Sequence, residues 1–136
     1  MLSKPKFGWA NWNLPNLKER ISYLNDFPFD LFDKLIVFFR TEECQELEFD
    51  AEGYFYTIYI GSPVYVKTEN EEDVTPIYGN VEKFTNELIN DIEQGIDSWS
   101  TFPTYCESDE DAKKIEEKLK DKIKEVREAL ILWKKS

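Results

Sequence analysis

Acidic and apolar residues alternate strictly over one short stretch of the chain, Glu46 to Asp50 (ELEFD). Successive side chains of a β-strand point to opposite faces of its sheet, so this pattern predicts a half-buried strand. Leu47 and Phe49 should then face the core, while the acidic side chains between them face solvent. Strands of this kind are typical of antiparallel sheets, which commonly leave one face to solvent.

The residues that follow Asp50 supply the partner strands of this sheet. A four-residue hairpin loop from Asp50 to Gly53, with Gly53 free to adopt positive φ, pairs Phe49 with Tyr54. A second hairpin with a three-residue Gly-Ser-Pro loop pairs Ile58 with Val66. This loop length is preferred to two residues because it separates polar from apolar side chains more cleanly.

The two faces of the predicted sheet differ in chemistry. One face carries only apolar and aromatic residues: Leu47, Phe49, Tyr54, Tyr56, Ile58, Ile60, Val64 and Val66. The opposite face combines acids with rings: Glu46, Glu48, Phe55, Thr57, Tyr59, Tyr65 and Lys67. We expect the helices to cover the first face.

Three other segments have the apolar spacing of helices. A short helix is predicted from Asn13 to Asn25, and a longer one from Asn80 to Trp99 with a last turn weakened by Gly95. The third begins after Ser108, which forms a capping box with Asp111 and precedes a continuous apolar stripe.

Residues 35 to 39 (LIVFF) are apolar at every position. Their β-branched and aromatic content favours a strand covered on both faces, although a buried helical turn would show the same pattern. The whole chain, residues 1 to 136, is thus predicted to be a single α+β domain. It would contain a short N-terminal helix, an antiparallel meander of three or four strands, and two long C-terminal helices packed on one sheet face.

The composition argues against catalysis. Histidine is absent, which removes the commonest general base and the commonest zinc ligand. Cys44 and Cys106 are too few for a disulfide scaffold and have no histidine to activate them, so we interpret them as buried or inert residues. Two acidic clusters, at 69 to 73 and 107 to 111, lack the spacing of a calcium loop. We therefore expect no enzyme activity, cofactor or metal ion.

The net charge of -11 indicates what the chain can bind. It argues against nucleic acid and against anionic membranes, because both are polyanions. No apolar run approaches the roughly 18 residues that span a bilayer, and we expect a cytoplasmic protein. A charged partner should be a basic protein.

The candidate binding residues are the acids of residues 41 to 52 and the rings of the acidic sheet face. Residues 41 to 52 contain six acidic side chains and no basic one. The predicted partner-binding residues are Glu42, Glu43, Glu46, Glu48, Glu52, Phe55, Tyr59 and Tyr65. The alternative is that the N-terminal segment, with Trp9 and Trp12, covers these rings and forms a second small core.

Such a surface predicts a binding protein of the immunity or antitoxin type, or a nucleic-acid mimic that blocks a nuclease-like toxin or a defence protein. A structural or adaptor subunit is the alternative. It would self-associate, for example as a homodimer, through the amphipathic C-terminal helix.

Overall fold

The computed structural model describes every residue from Met1 to Ser136 and contains four helices and two antiparallel sheets. The elements are β1 (Trp9–Asn11), β2 (Arg20–Ser22), α1 (Phe29–Thr41), β3 (Gln45–Asp50), β4 (Phe55–Ile60), β5 (Val64–Thr68), β6 (Thr75–Tyr78), α2 (Val81–Gln94), α3 (Ile96–Thr101) and α4 (Asp109–Lys135). One sheet pairs β1 with β2, and the larger has the order β3-β4-β5-β6. The predicted α+β class is confirmed.

The first 23 residues form a small antiparallel meander, so the helix predicted from Asn13 to Asn25 is wrong. Leu14 and Leu17 exchange backbone hydrogen bonds of 2.9 and 3.2 Å around a tight Pro-Asn turn. The turn reverses the chain, and β2 then pairs with β1 so that Ile21 lies opposite Ala10. Both side chains are fully buried, which is why an apolar residue stands at each position.

The apolar run from Leu35 to Phe39 lies within helix α1, and the predicted strand is wrong there too. Helix α1 contacts β3 and β4, and it also contacts α4. A helix with neighbours on several sides is apolar around most of its circumference, and a short run from it resembles a buried strand. The helix ends where Glu42 adopts a left-handed φ of 60°.

The four-stranded meander is present, and its second hairpin has the predicted register, with Ile58 opposite Val66. The first hairpin is shifted by two residues, since Phe49 pairs with Tyr56 rather than Tyr54. Side chains alternate with a period of two, so this shift leaves every residue on its predicted face. The apolar face is the inner one, and most of its members are buried.

The C-terminal helices begin where the sequence predicts, at Val81 and Asp109, but the first of them ends early. Gly95 interrupts the segment predicted from Asn80 to Trp99 and divides it into α2 and α3. Ser108 caps α4 as predicted, because its side chain accepts a 3.1 Å hydrogen bond from the Asp111 amide. Helix α4 packs against α1 and α3, and the helix in closest backbone contact with β3 and β4 is α1.

Aromatic rings connect the N-terminal meander to the rest of the core. The ring centroid of Trp12 lies 5.8 Å from that of Phe27, 6.2 Å from that of Phe49 and 6.2 Å from that of Phe84. Phe27 in turn lies 5.3 Å from Trp99. Trp12 therefore belongs to the main core, on the inner side of the sheet. None of the helices has the length and apolar character that crossing a membrane requires.

Candidate functional site

The larger sheet has an outer face that points away from the aromatic core. We call it the outer sheet face and define it by Glu46, Glu48, Phe55, Thr57, Tyr59, Tyr65 and Lys67. These residues alternate along β3, β4 and β5 with the residues of the inner face. Burial of the inner residues therefore forces these side chains outward.

The strand register arranges this face in rows. Glu46 lies opposite Tyr59, and Tyr59 lies opposite Tyr65, so one carboxylate begins a row that continues with two rings. The next row runs from Glu48 through Thr57 to Lys67. Directly opposed side chains in such pairs are in contact range, with Cβ atoms about 5 Å apart. The face therefore presents acids at the β3 edge and rings at its centre.

The N-terminal tryptophans do not form the second core that was the alternative prediction for these rings. Trp12 is only 1% exposed and packs within the main core. The Arg20 guanidinium lies over the Trp9 ring, with its central carbon 4.7 Å from the ring centroid. The same carbon lies 5.6 Å from the centroid of the Tyr54 ring. On the outer sheet face Phe55 is 41% exposed, and Tyr59 and Tyr65 are half-buried.

A shallow depression of about 230 Å³ occupies one end of the outer sheet face. The residues that line it are Glu48, Phe55, Tyr56, Thr57, Tyr59, Lys67, Thr68, Glu69 and Glu71. Lys67 is the single basic residue among them, against three carboxylates. The Thr68 hydroxyl donates a 2.6 Å hydrogen bond to Glu71, which holds that carboxylate near the rim. The depression is therefore both aromatic and acidic.

Glu52 lies at the end of the sheet, in the loop between β3 and β4. Its carboxylate accepts a 2.6 Å hydrogen bond from the Ser22 hydroxyl, and its carbonyl accepts a 3.4 Å bond from the Arg20 guanidinium. These contacts join the loop to β2. Glu52 is therefore turned toward the N-terminal meander, with a carboxylate that already accepts a hydrogen bond.

Glu42 and Glu43 lie beyond the opposite end of β3, after the last turn of α1. The Glu42 carboxylate accepts a 3.2 Å hydrogen bond from the Trp133 indole N–H. It therefore links the ends of α1 and α4, whereas Glu43 is simply exposed. Of the eight predicted residues, the structure brings five together on one face: Glu46, Glu48, Phe55, Tyr59 and Tyr65.

Asn25 is an edge residue that the sequence pattern did not reveal, because it was placed at the end of a predicted helix. Its side-chain nitrogen donates a 2.9 Å hydrogen bond to the Glu48 carbonyl, and its side-chain oxygen accepts a 2.9 Å bond from the Asp50 amide. The amide side chain thus takes the place of a neighbouring strand at two backbone groups of β3. Glu69 and Glu71 were apparent only as members of an acidic loop.

Two tyrosines on the inner side, one in β4 and one just before it, bond to the N-terminal meander. The Tyr56 hydroxyl donates a 2.8 Å hydrogen bond to the Arg20 carbonyl, and burial raises the Tyr56 pKa well above its ordinary value. The Tyr54 hydroxyl donates to the Glu19 carboxylate, and partial burial together with this bond raises the Tyr54 pKa. Both phenols stay protonated at neutral pH and serve as donors.

The structure contains no group of three or more histidine, cysteine or acidic side chains arranged to hold a metal ion. Cys44 is exposed rather than buried, and Cys106 is half-buried; both are free thiols. What the outer sheet face can offer chemically is contact area, hydrogen bonds and negative charge.

No protein-family model matches this chain, and no curated protein or solved structure is significantly similar to it. Function must therefore be inferred from the surface of the molecule.

Proposed function

We propose that this chain is a small cytoplasmic binding protein that neutralises a basic protein by covering it with the outer sheet face. Its partner would be a nuclease-like toxin or a nucleic-acid-binding defence protein, whose cleft is positive because it accepts phosphate. One observation carries the proposal: two carboxylates and three partly exposed rings share an uncovered plane built on rigid strands.

Charge supports this choice of partner. The net charge of -11 and the carboxylates at the β3 edge would accelerate the approach of a cationic protein. The same charge disfavours direct contact with nucleic acid or with an anionic membrane. Exposed charge pairs contribute mainly to the association rate. A slow dissociation rate must therefore come from other interactions.

The rings supply that source. Tyr59 and Tyr65 are half-buried in adjacent strands, which restricts their rotamers before binding and lowers the entropy lost on binding. Tyrosine also combines a large apolar area with a polar tip, and it is enriched among the residues that dominate binding energy. No catalytic group is needed, because occupation of the cleft is sufficient to inhibit the partner.

The experiment begins with affinity capture from the native cell at low and high ionic strength, followed by identification of the eluted protein. Association with that purified partner is then measured for Glu46→Lys/Glu48→Lys and for a control, Glu117→Lys/Glu128→Lys. The control makes the same change in net charge at exposed positions of α4. We expect the face variant to associate about tenfold more slowly and to lose much of its salt dependence.

The control variant should retain most of the association rate. If the two variants behave alike, only net charge matters and the outer sheet face is not the interface. Tyr59→Ala should weaken binding by about 2 kcal/mol, since it removes a ring from the centre of the face.

Self-association through α4 is a second candidate, favoured by the exposure of Ile131 (52%) and Leu132 (68%) near its end. Trp133, by contrast, is half-buried and packs against Phe38 and Phe39 at centroid distances of 6.0 and 5.2 Å. An adaptor function would require that Ile131→Glu/Leu132→Glu dissociate an oligomer. Sedimentation equilibrium of the wild-type chain and of this double variant would measure the oligomeric state of each.

A further inference from the structure

The N-terminal meander begins with a tight hairpin whose tip is an exposed aromatic residue. Lys6 and Trp9 exchange backbone hydrogen bonds of 2.8 and 3.1 Å around the pair Phe7-Gly8. Phe7 has a φ of 54° and Gly8 a φ of 81°. Positive φ at both central residues is the pattern of a type I′ turn, which normally carries Asn or Gly at its first central position.

Phe7 is poorly suited to this position for two reasons. A side chain with a Cβ atom is disfavoured at positive φ, and a bulky one more so. The ring is also 90% exposed, the highest value among the large apolar residues, so it gains little from burial. The Lys6 amine lies 5.5 Å from the ring centroid, an exposed contact of small energy. The Phe7 side chain therefore gains little from the rest of the chain to offset its unfavourable backbone conformation.

The tip is also locally basic, because Lys6 adjoins Phe7 and the segment around it carries a net positive charge. Residues 1 to 20 contain four basic side chains and one acidic side chain, which gives 4 - 1 = +3, whereas the whole chain carries -11. The tip thus combines an apolar ring with an adjacent amine. The depression on the outer sheet face combines rings with three carboxylates and one amine. The two surfaces are complementary in charge and in apolar character.

We infer that the Phe7 tip docks into the depression on the outer sheet face of a second copy of this chain. The Phe7 ring would lie against Phe55 and Tyr59, and the Lys6 amine would approach Glu48 and Glu69. The tip of one copy binds a different surface, the outer sheet face, on the other copy. A closed dimer therefore forms only when each copy places its tip on the face of the other. A basic protein that binds the outer sheet face would displace the tip.

The test uses the purified chain alone, by sedimentation velocity over a range of concentrations at low and high ionic strength. The wild-type chain should associate, and more weakly at high salt. Phe7→Asn should weaken association about tenfold or more, because it removes the ring while supplying a residue that the turn prefers. The midpoint of its thermal unfolding should be unchanged or higher. Weaker association would then result from loss of the ring and not from unfolding of the chain.

Leu132→Asn is the matched control, since it removes another highly exposed apolar side chain and should leave association intact. A charge exchange gives the sharpest result: Lys6→Glu and Glu48→Lys should each weaken association alone, and an equimolar mixture of the two variants should restore it. A wild-type chain that stays monomeric, a loss of association with Leu132→Asn but not Phe7→Asn, or a mixture that fails to recover would each overturn the inference. Partner binding is measured separately, so the proposed function can fail without affecting this result.

Discussion

Two tyrosines on β4 provide a direct test of which sheet face is buried. Tyr56 and Tyr59 are three residues apart and therefore point to opposite faces. Tyr56 is 1% exposed, lies 5.0 Å from the Phe49 ring and donates a hydrogen bond to the Arg20 carbonyl. Deletion of a buried aromatic ring typically costs about 3 to 5 kcal/mol of unfolding free energy. The Arg20 carbonyl also loses its hydrogen bond from the Tyr56 hydroxyl, which adds to that cost. We expect Tyr56→Ala to lose about 4 kcal/mol or more of unfolding free energy.

Tyr59→Ala should lose much less. Tyr59 is only half-buried, and its direct neighbours across the strands are Glu46 and Tyr65. Cross-strand pairs of this kind contribute roughly 0.2 to 1 kcal/mol, so the expected loss is about 1 kcal/mol. Because small domains have about 5 to 15 kcal/mol of stability in total, the two variants should be easily distinguished.

The assay is urea denaturation followed by far-ultraviolet circular dichroism. The midpoint should fall strongly for Tyr56→Ala and slightly for Tyr59→Ala, with similar slopes for both variants. Tyr56→Phe is the control, because it keeps the ring and removes only the hydroxyl, at a cost of about 1 kcal/mol. Equal losses for the two alanine variants would mean that Tyr59 lies in a core, and the outer sheet face would not be available to a partner.

Two further predictions concern stability. Ser108→Ala should cost about 1 kcal/mol of unfolding free energy in the same assay, because it removes the hydroxyl that accepts a hydrogen bond from the Asp111 amide. Ser108→Asp should keep the full stability, since aspartate also caps a helix N-terminus. An unchanged midpoint for Ser108→Ala would show that the cap does not contribute. Alkaline pH should also destabilise the protein: burial raises the Tyr56 pKa above its ordinary value of 10.0, so this group's contribution is complete below pH 10. Above that pH the unfolded state loses its proton first, and stability should fall by about 1.4 kcal/mol per pH unit for this group, a slope that Tyr56→Phe should reduce in a pH-dependent urea series.

The sequence predicted the meander well because alternation is a local signal. Which face a residue occupies depends only on whether its position along the strand is odd or even. The assignment of Tyr56 and Tyr59 therefore survives the two-residue error in the register of the first hairpin. The same reasoning placed five of the eight candidate residues on one face. Glu42 and Glu43 were predicted only as acids near these rings, and they lie between α1 and β3 rather than on the face itself.

The N-terminal segment could not be predicted in this way. Leu17, Ile21 and Leu24 have helical spacing, but Leu24 is 54% exposed and the three do not form one buried stripe. Ile21 is buried because β2 pairs with β1, which is a contact between distant residues that periodicity does not encode. The run from Leu35 to Phe39 failed for a related reason, since neighbours on several sides hide the helical period.

Asn25 has a consequence for how this protein behaves when it is concentrated. An uncovered edge strand invites a strand from another molecule to continue the sheet, and such pairing can propagate into fibrils. Asn25 occupies the Glu48 carbonyl and the Asp50 amide, and the alternating acids of β3 repel an identical strand. We therefore expect this chain, although rich in β-forming aromatic residues, to resist amyloid growth along this edge.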